Sequence, residues 1–153
     1  MSTVVQKLPT VTRIVMGLAF TVFGANQLLN FLPQPPLSGP PAEFFGALFA
    51  TGYMLPLIAL TQIVAGLMLL SGRFVPLALT LLAPVLVNIL AFHVFLAHGD
   101  YALPAVLFAA ELYLAWTYRD AFAPTLQARA LPHGQGTVAT APVAPPTPAS
   151  PAE

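Results

Sequence analysis

The sequence predicts an all-α integral membrane protein, an antiparallel four-helix bundle, and three observations carry that prediction. First, 58% of the 153 residues are apolar and only 7% are charged, against roughly 25% charged in a soluble domain. Five Lys and Arg with five Asp and Glu cannot cover a core of this size, so a soluble globular enzyme is excluded. Second, four apolar segments have about the 20-residue length needed to cross about 30 Å of hydrocarbon. Third, every Lys and Arg falls on one side once those four segments are laid across a membrane.

Residues 1–12 read as a cytoplasmic segment, 13–122 as the spanning domain and 123–153 as a tail. The first span runs from about Ile14 to Leu32. Lys7 and Arg13 precede it as in a signal peptide, but its apolar stretch exceeds the usual 7–15 residues and no A-x-A site follows, so it is expected to be retained. Arg13, Gly17, Phe20, Gly24 and Gln27 recur at steps of three and four, a stripe whose small residues admit another backbone. The segment Pro33 to Pro41 contains five prolines and cannot continue the helix.

Ala42 to Tyr53 follows, with Glu43, Phe44, Phe45 and Phe49. It reads either as a short interfacial or re-entrant helix or as the start of one long tilted second helix. The second span is Met54 to Leu70, joined by Ser71-Gly72-Arg73 to a third from Phe74 to Leu96. Within that third span Pro84 offers no N–H to the carbonyl of Thr80, which implies a kink. Ala97 to Tyr101 leads to the fourth span, Ala102 to Tyr118. From Pro124 onward lie seven of the 17 prolines with Ala, Thr, Ser and Gly, a composition too poor in apolar surface to order itself, so disorder is expected from about Ala130.

Four spans place both termini on one side, with Lys7, Arg13, Arg73, Arg119 and Arg129; Glu43 and Asp100 fall on the other. The side that carries the basic residues is the cytoplasm. Tyr53 and Tyr101 mark the outer interface and Trp116 and Tyr118 the inner one.

Polar residues inside spans are where function concentrates. A rise of about 1.5 Å per residue puts Asn26 about 20 Å above Arg13, Gln62 about 16 Å and Asn88 about 22 Å above Arg73, and Glu111 about 12 Å above Arg119. Asn26, Gln27, Gln62, Asn88 and His93 are the ligand-binding candidates. Asn30, Thr61 and Thr80 read as interhelical hydrogen-bond partners. His93 and His98, five apart, do not share a helix face, and no metal site is expected. Glu111, a carboxyl in mid-span, must be protonated, paired or beside water, and is the catalytic candidate; Gln62 and Asn88 are its expected neighbours. No cysteine is present, which excludes disulfides and thiolate-ligated metals within this chain. Net charge is zero without a basic run, so no nucleic-acid partner is expected. No nucleotide-binding glycine loop, HExxH or Ser/His/Asp arrangement is readable.

Four stretches resemble the DoxX family of small four-helix membrane proteins. They are Arg13 with Gly17-Leu18-Ala19-Phe20 and Gly24, Ala65-Gly66 through Ser71-Gly72-Arg73-Phe74, Val87-Asn88 through Phe92-His93, and Glu111 through Trp116 with Arg119. The resemblance covers about Thr12 to Phe122. It implies a four-helix bundle in the bacterial inner membrane, with relatives that serve a thiosulfate:quinone oxidoreductase or methylamine utilisation. Relatives often carry Glu where Gln62 stands and a basic residue where Gln27 stands, so if those groups carry protons or bind an anion in relatives, both are absent here.

Two functions compete, neither of them a self-sufficient enzyme. One is a membrane subunit serving a redox partner protein, holding quinone or another apolar molecule at the polar band, with no covalent cofactor; electron chemistry would then belong to the bound group. The other is a scaffold or assembly factor whose polar band locks the helices. A small transporter is a weaker third, since four spans are few without a homo-oligomer. Lipid is the partner common to all.

Overall fold

The computed structural model describes residues 3–33, 36–99 and 101–124, with side chains from Lys7 onward. Expectations for Asp100, Arg129 and the tail from residue 125 lie outside the described residues. Among those described, the chain is entirely helical: α1 (Thr3–Leu29), α2 (Pro40–Ala50), α3 (Met54–Ser71), α4 (Val75–Phe92), α5 (Ala102–Thr117) and α6 (Arg119–Phe122). A π-helical segment, His93–Ala97, prolongs α4.

The first helix starts earlier and ends earlier than the apolar stretch suggests. Residues read as an N-terminal segment already form its first turns, with Pro9 tolerated inside. It stops at Leu29 because Asn30 takes a left-handed conformation, φ 48°, which Asn tolerates better than most residues. The side chain of Asn26 completes the exit: its Oδ1 accepts the N–H of Leu32 at 2.7 Å.

The second segment is a separate helix, which decides between the two readings of Ala42 to Tyr53. Gly39 enters it at φ 64°, and Pro40 and Pro41 occupy the first turn, where a missing N–H costs nothing. Past Ala50 the Thr51 hydroxyl donates to the Leu48 carbonyl at 2.6 Å and accepts the N–H of Met54 at 3.1 Å. Gly52, at φ 74°, breaks the path into α3. No residue of α2 is buried; the helix lies against α3 and the π-helical segment.

The α1–α3 pair is the tightest contact, and the glycine stripe explains it. A Cβ added to Gly17 would lie 2.9 Å from the Gly66 carbonyl oxygen, and one added to Gly66 would lie 2.5 Å from Thr21 Oγ1. A Cβ on Gly24 would meet the Ala59 carbonyl oxygen at 2.8 Å. Numbers rise along α1 as they fall along α3, so the two helices run in opposite directions. Arg13 closes the C-terminal end of α3: its Nη1 donates to the carbonyls of Leu69 and Leu70, the first of which also accepts the Gly72 N–H.

Gly72, at φ 71°, ends α3, and Phe74, at φ 58°, starts α4. The core is apolar and continuous, running through Met16, Phe20, Leu69, Leu79, Leu82, Leu86, Leu107 and Leu114. Outside it, Leu18, Leu60, Leu67, Leu77, Val87 and Leu112 point outward and exposed. An apolar exterior of this extent on apolar helices belongs in lipid.

Three helical stretches, Lys7–Leu29, Met54–Ser71 and Val75–Ala97, are long and apolar enough to cross a membrane. The expected fourth span is shorter. α5 has 16 residues, about 24 Å at 1.5 Å per residue, because Tyr118 leaves helical geometry before α6 begins.

Candidate functional site

A cavity of about 690 Å³ lies between α1, α2, α3, α4 and α5. Gln27, Gln62, Asn88 and His93, which share no element pairwise except α4 and its extension, all line it. The helical stripe on α1 sends Gln27 toward α3, where its Nε2 donates to Gln62 Oε1 at 2.9 Å. Gln62 is 3% exposed. Its carbonyl is used by Gln27 and its own amide N–H groups remain for another acceptor. The Asn88 side chain makes no hydrogen bond among the described residues and brings one donor group and one acceptor.

His93 sits where α4 passes into the π-helical segment, a local rewinding often found at functional sites. Its Nδ1 pairs with the Ile89 carbonyl at 2.8 Å. A carbonyl only accepts, so Nδ1 carries the hydrogen and Nε2 of the neutral ring is an acceptor.

The walls are aromatic. Phe44 and Phe45 of α2 pack on Phe92 with ring centroids 5.6 and 5.3 Å apart, and Phe92 meets the His93 ring edge to face at 5.3 Å. Phe20 and Phe23 of α1 line the same cavity. The sequence did not single out Phe44 and Phe45 as site residues. Their pairing beside Glu43 was visible, but nothing in the spacing says that α2 folds back against the end of α4. The result is a mostly apolar chamber with donors at Gln62 and Asn88 and an acceptor at His93, suited to a flat or chain-like apolar molecule with oxygen-bearing groups.

Two predicted site residues lie elsewhere. Asn26 is buried, 5% exposed, but its side chain ends α1 through Leu32 and does not line the cavity. Glu111 is neither hydrogen-bonded to nor grouped with Gln62 and Asn88, contrary to expectation; it borders a second cavity. The reason is helical phase. On α4, Val85, Asn88, Ile89 and Phe92 face the first cavity while Thr80, Ala83 and Val87 face the second.

The apolar helices and their apolar exterior define a multi-pass helical membrane protein, with a mostly apolar cavity between its helices. Comparison with family models places it further: the DoxX model matches residues 8–99, more than half of the chain, and the protein belongs to the DoxX family. That match spans α1 through the π-helical segment and ends before α5 and Glu111. No curated protein and no solved structure matches.

Proposed function

We propose that the protein is a membrane subunit of a quinone-linked redox complex and that the 690 Å³ cavity holds the quinone or a related apolar molecule. The observation that carries this reading is the convergence of Gln27, Gln62, Asn88 and His93 from three helices onto one aromatic-walled chamber. Its volume lies within the roughly 300–1,000 Å³ of small-molecule sites. Gln62 and Asn88 would donate to carbonyl oxygens, His93 Nε2 would accept from a hydroxyl, and the phenylalanines would flank the ring. The bound group supplies the electron chemistry; this chain binds it, orients it and excludes water. The four helices form an antiparallel bundle in the bacterial inner membrane with both termini cytoplasmic, as the one-sided Lys and Arg require.

The test is purification in mild detergent followed by lipid extraction, mass spectrometry and a visible spectrum. Quinone should co-purify with the native protein and fall several-fold in a Gln62→Leu, Asn88→Leu double variant. Bulk phospholipid alone would refute the reading.

A scaffold role has one observation in its favour, the Gln27–Gln62 bond that ties α1 to α3. Under that reading the double variant loses stability and partner capture while no ligand is present to lose.

A further inference from the structure

A second cavity lies beside Glu111. This side chain is 5% exposed, and neither carboxyl oxygen has a hydrogen-bond partner among the described residues. It borders a cavity of about 400 Å³ between α4, α5 and Phe122 of α6, displaced along α4 and α5 from the chamber above. On α5, Leu103, Pro104 and Leu107 line the first cavity, whereas Glu111, Leu112 and Ala115 line the second. Val87 and Leu112 stand at its edge, 55% and 57% exposed, so it opens on the outward, lipid-facing surface.

The crevice is rich in acceptors and poor in donors. Pro84 has no N–H to give the carbonyl of Thr80, and Thr80 borders the cavity. The Thr80 hydroxyl is itself committed, donating to the Pro76 carbonyl at 2.9 Å. The remaining wall is apolar. A spanning helix is about 10–12 Å across and does not fit in such a space, but a small amphiphile does.

We propose that this crevice binds an apolar molecule from the lipid phase through a head group that donates hydrogen bonds, a primary amine or a hydroxyl, to the Glu111 carboxyl. A hydrogen-bond partner for the Glu111 carboxyl is what the site lacks, and the lipid-facing mouth is where it enters. The proposal is independent of the quinone reading, since the two cavities share no lining residue.

The test uses the full-length protein in lipid nanodiscs with dicyclohexylcarbodiimide, an apolar reagent for carboxyls, and peptide mass spectrometry. Glu111 should be labelled, and decanol should slow its labelling about tenfold, the order of one good hydrogen bond. Decylamine is kept out of the labelling reaction, where a primary amine captures the activated carboxyl as an amide, and is read by thermal stability alone. Stabilisation by the amine alone assigns an amine head, and protection by the alcohol alone a hydroxyl. Decane should have no effect. Absence of labelling at Glu111, equal protection by decane, or no protection by decanol together with no stabilisation by decylamine overturns the proposal. As a second readout, decylamine or decanol should raise the thermal stability of the native protein and not that of Glu111→Leu; an equal rise in both also overturns it.

Discussion

Gly66 shows how one hydrogen in place of a side chain sets a helix pair. It faces Thr21 and Gly17 so closely that any Cβ collides with backbone, and backbone cannot turn aside. Gly66→Leu is therefore expected to destabilise the protein by about 1–3 kcal/mol or more, read as thermal unfolding in detergent. Gly46, on exposed α2, provides the control, because a Cβ added there would have nothing within 4 Å. Gly46→Leu should leave the unfolding temperature unchanged.

The Gln27–Gln62 pair is a second residue-scale device, a hydrogen bond between two neutral amides at 2.9 Å. Removing either partner leaves the other without its bond. Gln27→Leu and Gln62→Leu should each cost about 1–3 kcal/mol, and the double variant less than their sum by about 0.6 kcal/mol, up to about 1.7. A double-mutant cycle on unfolding measures this coupling.

At the scale of elements, α2 and the α3 terminus have opposite characters. The C-terminal end of α3 is fastened by Arg13, whose guanidinium takes the Leu69 and Leu70 carbonyls and sits at the negative end of the helix dipole. Arg13→Leu should lower stability by about 1–3 kcal/mol, with Arg13→Lys recovering part of it, both scored in the same unfolding assay. By contrast α2 buries none of its residues and meets the bundle through Phe44 and Phe45 on Phe92. The Phe44→Ala, Phe45→Ala double variant should fold normally yet release a bound apolar molecule several-fold faster, because it removes part of the cavity wall without touching the core. Stopped-flow displacement of a fluorescent quinone analogue checks this.

Over the whole molecule, lipid replaces the solvated shell. Outward residues such as Leu60, Leu67 and Leu77 are exposed on the same helices whose inward faces form the core. The short α5 is anchored at its end by Arg119, whose guanidinium lies 5.3 Å from the Trp116 ring centroid, a pairing suited to the headgroup level. The proposed orientation is directly measurable because the chain has no cysteine. An impermeant maleimide added to intact cells should label Ser38→Cys and leave Ser71→Cys unlabelled; the reverse pattern would invert the topology.

The sequence by itself determined the membrane class, the helical content, the small-residue face of α1 and the polar positions Gln27, Gln62, Asn88 and His93. These follow from local rules: too few charges for water, a period near 3.6, and a cost for each polar group in hydrocarbon. It also marked Ser71-Gly72-Arg73 as the turn between two spans; that Gly72 takes a left-handed conformation there is seen only in the structure. Only tertiary structure decided that α2 is separate and walls the cavity, that Asn26 serves the end of α1, and that Glu111 lies apart from Gln62 and Asn88. Depth along a helix is readable from residue number, since the rise is fixed. Azimuth between helices is not, because a single residue turns about 100° and the angle that faces a neighbour is set by how the other helices pack. Asn88 and Val87 are adjacent in the chain and line different cavities for that reason.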